Sequence, residues 1–149
     1  MAHSPSAHYP GQGPHELQPP SPTVVLRHEL PDGSAHWDWM IAPAVEGTAP
    51  LITFRLNDRP DSHNPKELAA TRLPDHRRLY LNYEGPISGD RGHVRRVRAG
   101  MIVGGFLGPT RGELRIHWAA PAEAATVRLT LENSDQWRIA VLACEALLE

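Results

Sequence analysis

His28-Glu29-Leu30-Pro31-Asp32-Gly33-Ser34-Ala35-His36-Trp37-Asp38 reads as two strands and the turn that joins them. Leu-Pro-Asp-Gly-Ser suits a type I turn closed by a left-handed glycine. Pro31 presets the first turn angle, Asp32 favours the second position, and Gly33 supplies the positive φ. Such a turn makes a three-residue hairpin loop with a G1 bulge. Leu30 then pairs with Ser34, and His28 faces His36 across the ladder. Directly opposed residues share a face, with Cβ atoms ~4.5–5.5 Å apart. Asp38, two residues beyond His36, lies on that face too. Two imidazoles and a carboxylate therefore converge from one hairpin, a ligand set suited to an open metal site. A two-residue turn would instead set His28 opposite Trp37 and leave an ordinary polar hairpin face. The reverse face, with Val25, Trp37, Trp39 and Ile41, is apolar and predicts packing against a core.

Outward from the hairpin the same pattern continues. From Thr23 onward short β-like runs alternate with Pro- and Gly-rich turns. Strands are expected near 23–29, 35–41, 51–56, 79–83, 93–103, 112–119, 125–131 and 136–142. A short helix is expected over 65–70, with Asn64 as its cap and Pro65 at its first position. Residues 143–148 suit a second one. The expected fold is mainly β, a compact barrel with one or two short helices. Residues 1–22, rich in Pro, Gly, Ser and His, predict a disordered tail before a barrel domain spanning 23–149. His3, His8 and His15 in that tail read as solvated polar residues.

A chain of 149 residues suggests one domain, and a net charge of −2 predicts no bulk attraction to nucleic acid or membrane. Cys144 is the only cysteine, which excludes an intramolecular disulfide and a Cys-rich zinc site and fits a reducing compartment. No secretory signal or membrane span is legible, so a cytoplasmic location is the expectation. Positive charge is carried by arginine, Lys66 being the sole lysine. Seven arginines lie between Arg72 and Arg98 against three acidic residues. Such a strip reads either as a phosphate-backbone contact or as the solvated face of a strand.

A second segment completes the pattern. Asp75-His76-Arg77-Arg78-Leu79-Tyr80 is followed by Glu84-Gly85-Pro86-Ile87-Ser88-Gly89. In order and spacing, these stretches with His28 and His36-Trp37-Asp38-Trp39-Met40 resemble the 3′-phosphoesterase domain of bacterial DNA ligase D. That end-healing module also occurs as stand-alone proteins. The match runs through about Gly100, with a looser β-rich remainder. The resemblance implies a β-barrel hydrolase of DNA repair that removes a 3′-phosphate or a 3′-ribonucleotide from nucleic-acid ends. It implies a divalent metal, typically manganese, on His28, His36 and Asp38. It places His76 on the scissile phosphate with Tyr80 beside it. Its implied partners are nucleic-acid 3′ ends, with a repair ligase or polymerase acting in trans, and no membrane.

Three departures accompany the resemblance. Met40 stands where the family often carries an arginine, so Arg27 or Arg91 is expected to supply the phosphate clamp. The residues before Thr23 do not resemble the family's N-terminal arm. The loop between the two metal histidines is two residues longer than usual. A catalytically weakened barrel that binds nucleic-acid ends or a protein partner is therefore the alternative expectation.

Overall fold

The computed structural model describes residues 16–147. Nine antiparallel strands run β1 Ser21–Glu29, β2 Ala35–Ile41, β3 Leu51–Leu56, β4 Lys66–His76, β5 Gly85–Pro86, β6 His93–Leu107, β7 Arg111–Trp118, β8 Glu123–Asn133 and β9 Gln136–Ala146. Eight of them close into a barrel in the order β1-β2-β3-β4-β9-β8-β7-β6, and β6 returns to β1. The two-residue β5 adds to β6 outside that ring. Closure removes the unpaired strand edges that an open sheet would present.

Alternation fills the barrel. Val25, Trp39, Ile41, Ile52 and Phe54 point inward and meet Ile102, Ile116, Val127 and Ile139 from the far wall. Phe54 packs between Trp39 and Trp137, at ring-centroid distances of 6.2 and 5.5 Å. Full burial of such a phenylalanine contributes about 1.5–3 kcal/mol relative to exposure. Part of the outer wall of β1–β3 is apolar as well. Val24, Leu26, Met40 and Leu51 form a second cluster there with Tyr80 and Val94. The connection 77–92 runs from the end of β4 across this cluster to the start of β6. It covers the outer wall and creates the space in which the candidate site sits.

The barrel matches the expected fold class, and three local expectations are corrected. Residues 65–70 are not a helix: Lys66 opens β4, which pairs with β3 on one side and β9 on the other. Lys, Glu, Leu and Ala are good helix formers, but the preference is small per residue, and the ladder with β9, joined by β3 at Ala70, overrides it. Residues 79–83 are not a strand. Tyr80 N donates to Arg77 O at 3.1 Å and Asn82 N to Leu79 O at 3.0 Å, which makes the 3-10 turn Arg78–Leu81. Residues 143–146 continue β9 rather than turning helical, because β8 pairs with them as far as Glu123↔Ala146.

At the N-terminus, Leu17 packs against the interior core and Gln18 N donates to Pro43 O at 2.7 Å. Order therefore begins ahead of Thr23. The disorder expected for the rest of the tail, His3, His8 and His15 included, concerns residues outside those described. No helix among the described residues is long and apolar enough to cross a membrane.

Candidate metal centre

The hairpin forms as its turn chemistry predicts. Leu30 N donates to Ser34 O at 2.8 Å and Gly33 N to Leu30 O at 2.9 Å, with Gly33 at φ +90°. Asp32 Oδ1 accepts from Ser34 N at 2.9 Å and from its hydroxyl at 2.6 Å. The register follows, and His28 stands opposite His36. Both histidines and Asp38 point to the outer wall, beneath the connection 77–92.

A long-range contact orients the first imidazole. His28 Nε2 lies 2.7 Å from the Arg91 carbonyl, which can only accept. Nε2 therefore donates, and Nδ1 is the ring nitrogen turned toward the other two side chains. That Nδ1 lies 3.1 Å from His36 Nε2 and 3.8 Å from Asp38 Oδ2. His36 Nε2 lies 3.5 Å from Asp38 Oδ1. One ligand atom from each residue falls within 4.8 Å of the others, and all three residues are buried.

Two observations test the fit of a cation to this group. Asp38 Oδ1 is shielded from solvent and accepts no hydrogen bond. Leaving such an oxygen unmatched costs about 1–3 kcal/mol or more, a cost that a bound cation would remove. Burial, with the neighbouring Arg55 and His28, pushes the pKa of His36 down to about 4 despite the opposing pull of Asp38. Its imidazole is neutral at pH 7, the form that ligates. Two imidazoles and a carboxylate suit manganese, iron or zinc alike, and by themselves do not select among them.

Beside the group lies a cavity of about 160 Å³. Its polar wall carries His28, Asp38, Arg55, His76, Tyr80 and Arg91, and its apolar wall carries Met40, Ile87 and Val94. His76 Nδ1 donates to Pro74 O at 2.9 Å, which leaves Nε2 as the free ring nitrogen. Burial lowers the pKa of His76 and raises that of the Tyr80 phenol. At pH 7 the first is a neutral acceptor and the second a neutral donor. Their rings pack edge to face with centroids 5.9 Å apart.

No protein-family model matches the chain, and no curated protein matches its sequence. The functional reading therefore rests on the residues themselves.

Not every expected side chain reaches the cavity. Arg91 does, with its Nε donating to Ser88 O at 2.7 Å. Arg27 does not. It sits opposite Trp37 on the other face of β1 and lies 3.6 Å from Glu29. Asp75, the neighbour of His76, is fully buried and pairs with Arg72 at 3.0 Å. The basic strip is divided: Arg95 and Arg96 are exposed, and the other arginines are partly or fully buried. Arg78 holds the Ala44 and Val45 carbonyls, Arg96 holds Leu81 O, and Arg98 is buried. Arg55 is the side chain that the sequence reading missed. It lies opposite Asp38 in the β2–β3 register, its Nε 3.6 Å from Oδ1, and it lines the cavity.

Proposed function

We propose that the protein is a divalent-metal-dependent phosphoesterase that acts on nucleic-acid 3′ ends, removing a 3′-phosphate or a 3′-ribonucleotide. One observation carries the reading: a buried His-His-Asp group with an unmatched carboxylate oxygen opens onto the cavity that also holds His76 and two arginines. His28, His36 and Asp38 would hold the cation, manganese being the expected ion. When bound, such an ion polarises a phosphoryl oxygen and lowers the pKa of nearby water.

The chain's own residues supply the rest. Arg55 and Arg91 neutralise the incoming phosphate, and the Tyr80 hydroxyl is a hydrogen-bond donor beside it. His76 Nε2 accepts a proton from the attacking water as the P–O3′ bond breaks, the departing 3′-oxygen takes a proton from solvent, and His76 then returns its own to solvent. The products of the monoester reaction are inorganic phosphate and a 3′-hydroxyl. Met40, Ile87 and Val94 make the remaining wall apolar and limit bulk water at the phosphate. In this arrangement the arginine across the ladder takes the place of the one that Met40 displaces.

The test is phosphate release from a primer–template bearing a 3′-phosphate, with and without manganese, and in parallel trimming of a 3′-ribonucleotide. Release is expected from the wild-type chain with manganese. It should be lost in His36→Ala and fall about 10²–10⁴-fold in His76→Ala. Folded wild-type protein that releases nothing with any divalent ion overturns the enzyme. Salt-dependent binding of DNA ends without turnover would instead identify the binding barrel.

A further inference from the structure

A second set of ligating side chains gathers at the barrel end that carries the β3–β4 and β7–β8 connections. His63 comes from the β3–β4 connection, Glu123 opens β8, and Cys144 lies near the end of β9. The register sets Ala125 opposite Cys144 and Glu123 opposite Ala146, so Glu123 and Cys144 are diagonal neighbours. Glu123 is 2% exposed. Its Oε1 is bound by Arg98 at 2.7 Å, and its Oε2 lies 2.7 Å from His63 Nδ1. One ligand atom each from His63, Glu123 and Cys144 falls within 4.8 Å of the others.

The surroundings are balanced in charge. Arg98 also reaches Asp61 Oδ2 at 3.4 Å, and Arg59 holds the same carboxylate through Nε at 3.0 Å and a terminal nitrogen at 2.7 Å. Two guanidiniums thus meet two carboxylates, and a divalent ion with a thiolate would add a single positive charge at the solvent-facing rim. Arg98 occupies one oxygen of Glu123 and leaves the other turned to the histidine. The His63 side chain is 68% exposed, so its ring can move outward to the wider spacing that a coordinated ion needs.

We propose that His63 Nδ1, Glu123 Oε2 and the Cys144 thiolate form a second metal site, for a thiophilic divalent cation of the zinc class. Nitrogen, carboxylate oxygen and thiolate sulfur are the donors that zinc accepts in tetrahedral geometry, with solvent in the fourth place. Thiolate sets this site apart from the His-His-Asp group on the outer wall, whose harder donors also suit manganese. Binding releases the thiol proton to solvent and shifts the His63 proton to its other nitrogen. The ion would tie the β3–β4 connection to β8 and β9 at the barrel rim.

The single cysteine makes the test specific. Cobalt(II) added to the full-length protein gives a thiolate-to-cobalt charge-transfer band in the near ultraviolet only if Cys144 ligates. The band is expected to saturate at one equivalent in His36→Ala, which lacks the first centre, and to reach the same height within two equivalents in wild type. Zinc should erase it and should slow alkylation of the thiol. His63→Ala should weaken cobalt binding about ten-fold or more, since even indirect partners of a metal contribute that much. Circular dichroism and thermal melting of each variant check that the barrel is intact. Absence of the band with cobalt in excess overturns the site. So does unchanged cobalt affinity in folded His63→Ala, or a thiol whose alkylation zinc does not slow.

Discussion

Arg55 and Asp38 show what a single pairing position decides. The guanidinium is near enough to the carboxylate to feel it but forms no hydrogen bond with Oδ1, which stays unmatched. A side chain so placed can serve an incoming phosphate without blocking a cation. Arg55→Met is therefore expected to lower kcat about 10²–10³-fold, the usual loss of one electrostatic donor. Manganese affinity should hold or rise, because a positive charge leaves the neighbourhood of the ligands. Parallel loss of metal binding and turnover would show that Arg55 only supports the group. The residue was hidden in the sequence for a physical reason. Its register with Asp38 depends on the connection 42–50, which lacks the tight-turn chemistry that fixes the first hairpin. Arg27, although next to His28 in the chain, is turned away from the cavity because neighbours on a strand face opposite ways.

Local chemistry decides which elements were legible. The β1–β2 turn carries Pro31, Asp32 and Gly33, so its register and the three side chains it aligns could be read directly. β4 could not, since Lys66-Glu67-Leu68-Ala69-Ala70 becomes a strand only through partners distant in sequence. The connection 77–92 was equally opaque, although it roofs the cavity. Gly92 ends it at φ +86°, where an added Cβ would run into the Glu29 carbonyl. The preceding residue supplies the carbonyl that orients His28. Gly92→Ala is thus expected to cost at least about 1–2 kcal/mol of stability from backbone conformation alone. It should also weaken manganese binding about 10–100-fold through the displaced carbonyl. Gly33→Ala is the comparison, since its Cβ meets nothing within 4 Å. It should destabilise without a comparable loss of metal affinity. Urea titration and calorimetry separate the two, and equal metal affinities in both variants would contradict the role given to the Arg91 carbonyl.

At the scale of the whole molecule, the buried imidazoles couple folding to acidity. His36 titrates near pH 4 in the fold and at its ordinary value, about 6.5, once unfolded. Between those values the unfolded chain binds the extra proton, so stability of the metal-free protein rises with pH across that window and levels off above it. His76 is shifted in the same direction. The urea midpoint should therefore be lower at pH 5 than at pH 7, and His36→Asn should flatten the difference. Equal midpoints in wild type would contradict the shift. The barrel itself was foreseeable from its many short strands, whereas its closing seam, β1 against β6, was not, because no turn joins those strands. That seam sets a timetable. The hairpin can bring His28 beside His36 within microseconds, but the clasp from His28 to Arg91 spans 63 residues and must wait for the ring to shut. A refolding chain thus passes through a stage when its first imidazole is present but free to swivel, and tight ion capture becomes a stopwatch for the final closing of the circle.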